Sequence, residues 1–194
     1  MEEEKFYHDV IVERSWKTAL FLREHYDFIM IGGWAVWLYT NKAKSRDIDI
    51  IVTYETLNVL KREFTVRKNE RLKKYEIKAD GFDIDIYLPY YSTTLAVPPE
   101  IIMQHTTKLQ GFVVPEIEVL LILKLGAWKE RQNSAKGEKD LLDLRYLIPL
   151  VDAAQIEVIL VESGKSEEEI VQFREIFNGA RQKLSAGRAR RLGL

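Results

Sequence analysis

Two β-strand patterns with aspartates at alternate positions leave this chain few ways to fold. The first is Asp47-Ile48-Asp49-Ile50, and the second is Asp83-Ile84-Asp85-Ile86. Side chains alternate between faces along a strand, so each pattern sends its aspartates to one face of a sheet and its isoleucines to the other. The isoleucines predict a buried core. The paired carboxylates repel one another, and a hard divalent cation such as Mg²⁺ is the usual partner that relieves this repulsion.

A glycine pair lies shortly before the first aspartate pattern, where Gly32 and Gly33 open a predicted helix. Glycine allows the backbone N–H groups at a helix N-terminus to approach a phosphate closely. Ser45 and Arg46 directly precede Asp47, where their hydroxyl and guanidinium either bind a triphosphate or cap and solvate the loop. Glycines followed by paired carboxylates therefore predict metal-assisted chemistry on a nucleotide.

The combination of Gly32-Gly33, a spacer and Asp47-Ile48-Asp49 resembles the signature of the DNA polymerase β-like nucleotidyltransferase superfamily. The resemblance implies an α+β fold with two parts. A nucleotidyltransferase core, whose mixed sheet is similar to the palm of polymerase β and is flanked by helices, precedes a C-terminal helical bundle. The resemblance also implies an NTP substrate and a site for a pair of Mg²⁺ ions, for which Mn²⁺ is an alternative.

The second aspartate pattern supplies the third carboxylate of the superfamily. Asp83 and Asp85 share a face, so strand alternation does not choose between them. Asp85 is preferred because it lies in mid-strand between two isoleucines, whereas Asp83 lies nearer the predicted turn at Asp80-Gly81. The resemblance then implies that Asp47 and Asp49 ligate both metal ions. Asp85 would hold the ion next to the nucleophile and accept the proton of the attacking hydroxyl.

An apolar segment at residues 119–128 predicts a buried helix, and Lys124 interrupts it. A buried lysine must reach solvent or pair with an anion. Together with Arg131 and the later Lys139-Asp140, Lys124 resembles the C-terminal motifs of the AbiEii-like and MenT-like branch of the superfamily. In that branch the lysine and the aspartate line the nucleotide site, which implies nucleotide contacts for Lys124 and Asp140. Arg131 and Lys139 are secondary candidates. The alternative is an internal ion pair that joins two helices.

The predicted secondary structure changes near Pro115 from mixed helices and strands to helices alone. This change predicts two regions. Residues 1–114 form the nucleotidyltransferase α/β core, and residues 115–194 form the C-terminal helical region. Within the core, the segments on either side of Asp80-Gly81 predict a hairpin, and residues 108–114 predict another strand. Tyr90-Tyr91, beside a proline loop, are weak candidates for stacking on a base.

Composition excludes several classes of protein. The chain has no cysteine, so disulfides, thiolate zinc sites and cysteine nucleophiles are excluded. The acidic start, Met1-Glu2-Glu3-Glu4, lacks the apolar core of a signal peptide, and no apolar stretch reaches the roughly 20 residues that span a bilayer. We therefore expect a cytoplasmic protein without a membrane partner.

The predicted function is metal-dependent transfer of an NMP from an NTP to a hydroxyl of an RNA, a protein or a small molecule, with release of pyrophosphate. The AbiEii-like motifs suggest a toxin that acts on tRNA and has an antitoxin partner. The alternative is a catalytically inactive module that binds nucleotide or RNA through Lys124 and a basic C-terminal tail. The cations of this tail are Arg181, Lys183, Arg188, Arg190 and Arg191.

Overall fold

The computed structural model describes the backbone of residues 2–191 and the side chains of residues 9–184. The basic-tail side chains of Arg188, Arg190 and Arg191 lie outside the described residues. The strands are β1 (Ile29–Ile31), β2 (Ile48–Ile51), β3 (Val66–Asn69), β4 (Lys74–Lys78), β5 (Asp83–Tyr87), β6 (Thr106–Leu109) and β7 (Phe112–Pro115). The helices are α1 (Glu2–His25), α2 (Gly32–Thr40), α3 (Tyr54–Glu63), α4 (Pro99–Ile102), α5 (Ile117–Arg131), α6 (Ala135–Leu147), α7 (Ala153–Glu162) and α8 (Glu167–Arg191), with a 3-10 turn at Ile148–Leu150.

The seven strands described form one mixed sheet in the order β3-β4-β5-β2-β1-β7-β6. The pairs β2–β5 and β1–β7 are parallel, and the other neighbours are antiparallel. The predicted hairpin around Asp80-Gly81 is confirmed as β4–β5. The prediction of a single strand at residues 108–114 is wrong. This segment contains the end of β6, a turn at Gln110-Gly111 and most of β7, because both turn residues adopt positive φ, as a tight hairpin turn requires.

Alternation along the central strands builds the core. Ile48 and Ile50 of β2 and Ile84 and Ile86 of β5 are buried on one face, while the aspartates between them remain half-buried. The helix after β2 starts at a defined cap, because Thr53 Oγ1 accepts a hydrogen bond from the backbone N of Thr56 at 3.2 Å. Local sequence thus determines which face of β2 is buried and where the chain leaves the strand.

The chain divides into two compact units, Met1–Glu116 and Ile117–Leu194. The first unit contains the whole sheet and helices α1 to α4, and the second contains helices α5 to α8. Among the described helices, none combines the length and the apolar character needed to cross a bilayer.

Candidate active site

The two aspartate patterns meet at the centre of the sheet. β2 and β5 run parallel in a register that sets Asp49 directly beside Asp85, and Ile48 beside Ile84. Neighbouring strands lie roughly 4.8 Å apart, so the two carboxylates share one small region of the sheet face. Asp47 stands immediately before β2, next to this pair in sequence but outside the ladder.

Gly32 brings the start of α2 against the Asp49 carboxylate. Ile31, the last residue of β1, pairs with Asp49, and the chain turns into α2 at Gly32 with φ +67°. A Cβ at this position would lie 2.1 Å from Asp49 Oδ2, so only glycine permits the observed approach. Gly33 follows as a buried residue of the first turn. The diglycine thus places a helix N-terminus beside an acidic side chain, and its contact with phosphate stays a prediction.

Asp47 is held by the loop and by the start of β5. Its Oδ1 accepts a hydrogen bond from the backbone N of Asp83 at 3.3 Å and lies 3.2 Å from Arg46 Nε. The buried Ser45 hydroxyl donates to the backbone oxygen of Asp47 at 3.1 Å. Ser45 and Arg46 therefore contact the loop that carries Asp47. These contacts agree with the alternative that the two side chains cap the loop. Triphosphate contacts by these two residues stay a prediction.

Asp85 is the deepest carboxylate of the second pattern. Its side chain is 16% exposed, against 39% for Asp83. Asp85 Oδ2 accepts a hydrogen bond from Lys74 Nζ at 2.5 Å, whereas Oδ1 is buried and has no hydrogen-bond partner among the described residues. Burial, followed by the nearby Asp49 carboxylate, raises the pKa of Asp85 to about 6, although Lys74 acts in the opposite direction. Asp85 thus combines an unsatisfied oxygen with a pKa close to neutrality.

Lys74 is a cation of this site that the sequence analysis missed. Its ammonium lies 2.5 Å from Asp85 and 3.1 Å from Glu76, which in turn accepts a hydrogen bond from Asn69 at 3.0 Å. Burial lowers the pKa of Lys74, but the hydrogen bonds and charges of Asp85 and Glu76 outweigh burial and raise it overall. The available signal was the alternation of Lys74, Glu76 and Lys78 along β4, which is the pattern of a charged strand face.

The acidic residues have the chemistry to bind a hard divalent cation, although they do not form a complete set of metal ligands. Within the described part of the chain, no three His, Asp or Glu side chains are close enough to hold a metal ion. Lys74 pairs with Asp85 and Arg46 pairs with Asp47, so protein cations partly balance these carboxylates. The donor set is nonetheless all carboxylate oxygen, and Asp85 Oδ1 is buried without a partner. These properties fit Mg²⁺ or Mn²⁺.

Lys124 and Asp140 belong to an ion cluster within the second unit. The buried Lys124 Nζ of α5 lies 2.6 Å from Asp143 Oδ2 and 3.6 Å from Asp140 Oδ1, both on α6. Arg131 Nε donates to Asp140 Oδ2 at 2.6 Å. This is the internal ion pair between two helices that the sequence left open as an alternative. Nucleotide contacts by Lys124 and Asp140, and the secondary roles of Arg131 and Lys139, stay predictions.

The fold is similar to known nucleotidyltransferase structures. The antibiotic-resistance factor ANT(2'')-Ia aligns with a TM-score of 0.51 over 100% of both chains, at 12% sequence identity. An antigenic nucleotidyltransferase-like protein from Paracoccidioides brasiliensis has a TM-score of 0.45 at 18% identity, over 89% of this chain and 92% of that chain. Megavirus polyadenylate synthase has a TM-score of 0.46 at 17% identity, over 78% of this chain and 34% of that chain.

No protein-family model matches the chain, and no curated protein sequence matches it. At such low identity the likeness to ANT(2'')-Ia shows the fold alone. The predicted fold class is confirmed: the chain has a mixed α+β nucleotidyltransferase fold followed by a helical C-terminal region. Membership in the AbiEii-like and MenT-like branch stays a prediction.

Proposed function

We propose that this protein is a metal-dependent nucleotidyltransferase that moves an NMP from an NTP to a hydroxyl acceptor and releases pyrophosphate. The observation that carries the proposal is the pairing of Asp49 with Asp85 on neighbouring strands, directly against the start of α2 at Gly32. Paired carboxylates beside a helix N-terminus combine sites for a metal ion and a phosphate, which nucleotidyl transfer requires together. The nucleotidyltransferase fold supports the same reaction class.

Each residue of the site has a proposed role. Asp47, Asp49 and Asp85 would hold Mg²⁺, as a pair of ions or with Mn²⁺ in its place, and the bound metal would neutralise charge on the triphosphate. The backbone N–H groups of Gly32 and Gly33 would donate hydrogen bonds to phosphate oxygens.

Asp85 would take the proton of the acceptor hydroxyl as that oxygen attacks the α-phosphorus and the bond to pyrophosphate breaks. A divalent cation bound beside Asp85 would favour the ionised carboxylate, which is the form that accepts a proton.

The acceptor is an RNA, a protein or a small molecule. A narrower version is a toxin that modifies tRNA and is neutralised by an antitoxin protein, and it is supported by the resemblance of Lys124 and Asp140 to the AbiEii-like motifs. A catalytically inactive nucleotide- or RNA-binding module is the other candidate. It is less favoured because a module that only binds polyanions gains nothing from adjacent carboxylates such as Asp49 and Asp85.

The proposal is tested by incubating the protein with α-labelled NTPs, Mg²⁺ or Mn²⁺, and total RNA, total protein or a panel of small hydroxyl compounds. We expect metal-dependent label transfer that falls by a factor of about 100 or more in Asp49→Asn, since this carboxylate would hold the metal ion. Asp83→Asn is the matched control, because Asp83 lies in the same alternating pattern but pairs with the exposed Lys78 at 2.6 Å. Equal transfer by wild type and Asp49→Asn would refute the enzymatic function.

A further inference from the structure

Positive charge is concentrated in one short segment of this nearly neutral chain. Residues 61–75 contain seven cationic side chains and two acidic ones, a net charge of +5, whereas the whole chain carries −1. This segment ends α3 and includes the whole of β3, the turn after it and the start of β4. The exposed Arg62, Arg67 and Arg71 have no ion-pair partner among the described residues. Lys68 and Lys73 pair with Glu70 at 2.6 and 3.9 Å, so the segment attracts a polyanion through its excess of cations over acids.

Tyrosine rings lie among these cations. Lys68 pairs with Tyr75 across β3 and β4, and its ammonium lies 5.0 Å from the centre of the Tyr91 ring. Lys73 lies 5.8 Å from the same ring, and Lys61 lies 4.7 Å from the ring of Tyr75. The Tyr75 and Tyr91 rings are 5.7 Å apart. We name this set, together with Tyr90, the basic-aromatic surface.

Hydrogen bonds attach the loop that carries Tyr90 and Tyr91 to the turn between β3 and β4. Ser92 Oγ donates to the backbone oxygen of Lys73 at 2.7 Å, and Thr94 Oγ1 donates to that of Leu72 at 3.0 Å. The backbone N of Tyr90 donates to Glu100 Oε2 at 3.0 Å. The loop and the turn therefore form one fixed surface, although they are distant in sequence.

Tyr90 is presented to solvent in an unfavourable backbone conformation. Its φ is +60°, in the left-handed region that bulky residues avoid, and the residue is 80% exposed. A conformation of this kind costs roughly 1 kcal/mol or more and persists only where surrounding contacts hold it. Burial of the ring does not offset this cost, and the ring remains available to a ligand.

We propose that the basic-aromatic surface binds single-stranded nucleic acid. Lysines contact the phosphate backbone, and tyrosine rings stack on bases, which a single strand exposes and a duplex does not. Protection of the sheet edge against aggregation would explain cations on the edge strand β3. It does not explain Lys61 on α3, Lys73 in the turn, or the three rings.

The basic-aromatic surface and the candidate active site lie on opposite sides of β4. β4 supplies Tyr75 to the basic-aromatic surface and Lys74 to Asp85, since successive residues face opposite sides of the strand. Nucleic acid bound on the Tyr75 face therefore lies across the sheet from Asp85, and its binding does not depend on the proposed function.

The test measures binding of a fluorescent, unstructured RNA of about 20 nucleotides by anisotropy, in EDTA and without NTP. For Lys68→Gln combined with Lys73→Gln we expect affinity to fall by a factor of about 25 near 0.1 M salt, and the slope of log K against log salt to shrink by about 1.4, because each lost phosphate contact contributes about 0.7. Lys108→Gln combined with Lys129→Gln is the control. Both lysines are exposed and lie elsewhere, and the change in net charge is the same.

A second variant tests the stacking component separately. Tyr90→Asn removes an exposed ring and installs a residue that tolerates positive φ, so the fold is expected to remain intact. We expect a loss of affinity of about tenfold with an unchanged salt slope, since stacking involves no counterion release.

Three results would overturn the inference. They are an equal loss in the Lys108 and Lys129 control, equal binding of duplex RNA, or equal competition by poly-glutamate, which would indicate an acidic protein partner instead. RNA binding without any NMP transfer would leave this inference standing and refute only the proposed transferase.

Discussion

At the scale of single residues, Asp85 is the most informative side chain because its two oxygens have different environments. Oδ2 is hydrogen-bonded to Lys74, while Oδ1 is buried without a partner among the described residues. The raised pKa, about 6, means that the folded protein favours the protonated form more than the unfolded chain does. Protonation therefore stabilises the fold at acid pH, and this contribution is lost as the pH rises through about 6.

This linkage predicts how Asp85→Asn changes stability with pH. Asparagine keeps the neutral form at every pH, so the variant gains over wild type by up to about 3 kcal/mol in the free energy of unfolding between pH 4 and pH 7. This gain already includes the lost ion pair with Lys74, because that pair is among the interactions that set the pKa of Asp85. Urea titrations at several pH values measure it, with the more exposed Asp83→Asn as reference. A stability difference that is constant with pH would contradict the assignment.

Lys74 is hydrogen-bonded to Asp85 Oδ2 and would compete with a metal ion for this carboxylate. Removal of its charge leaves Asp49, Asp85 and Glu76 with less compensation, so a divalent cation gains more by binding. For Lys74→Met, which keeps the apolar stem, we expect Mn²⁺ affinity to rise by about tenfold, or roughly 1.4 kcal/mol. Electron paramagnetic resonance of free Mn²⁺ measures this affinity without any turnover.

Lys78→Met is the matched control for the metal titration, because Lys78 lies on the same face of β4 but is more exposed and pairs mainly with Asp83. Its Mn²⁺ affinity should stay within about twofold of wild type. Weaker Mn²⁺ binding by Lys74→Met would mean that the lysine builds the site instead of competing with the ion.

At the scale of elements, the sequence identified those whose signal is local. β2 and β5 were predictable because their period-two pattern sets both the buried isoleucines and the opposing aspartates. β3 was missed, since Val66-Arg67-Lys68-Asn69 shows no alternation of apolar and polar residues. It is an edge strand and pairs with β4 alone. The turn at Gln110-Gly111 was missed as well, because its positive φ values give no strong dipeptide signal.

Partners across elements were the least predictable part of the candidate site. Lys74 was visible in the sequence, but its contact with Asp85 depends on the register between β4 and β5. The neighbours of Lys124 depend in the same way on the packing of α5 against α6, which sets Asp143 within 2.6 Å. Sequence spacing offered both a nucleotide ligand and an ion pair for Lys124, and only the helix packing reveals the ion pair.

At the scale of the whole molecule, net charge conceals how the charges are distributed. The value of −1 combines a +5 segment at residues 61–75 with an acidic remainder. Opposite charges meet in the first unit, where β4 lies between the basic edge strand β3 and the acidic strand β5. A net charge near zero is therefore compatible with both a divalent cation and a polyanion as ligands of one sheet.

The division into two units predicts where ligands change the dynamics of the intact chain. The acidic residues Asp47, Asp49 and Asp85 all belong to Met1–Glu116, whereas the charge of Lys124 is already matched by Asp140 and Asp143. We expect Mn²⁺ with a nonhydrolysable NTP analogue to slow amide hydrogen exchange in β2, β5 and the first turn of α2, and to leave α5 and α6 unchanged.

Hydrogen-exchange mass spectrometry on the full chain measures this pattern, and Asp49→Asn with the same ligands provides the baseline without binding. Protection that reaches α5 and α6 in wild type but not in Asp49→Asn would contradict the expectation and would favour the nucleotide contact that the AbiEii-like resemblance implies for Lys124. Confinement to the first unit would instead favour a structural role for the α5–α6 ion cluster, in which Asp143 balances the charge of the buried Lys124.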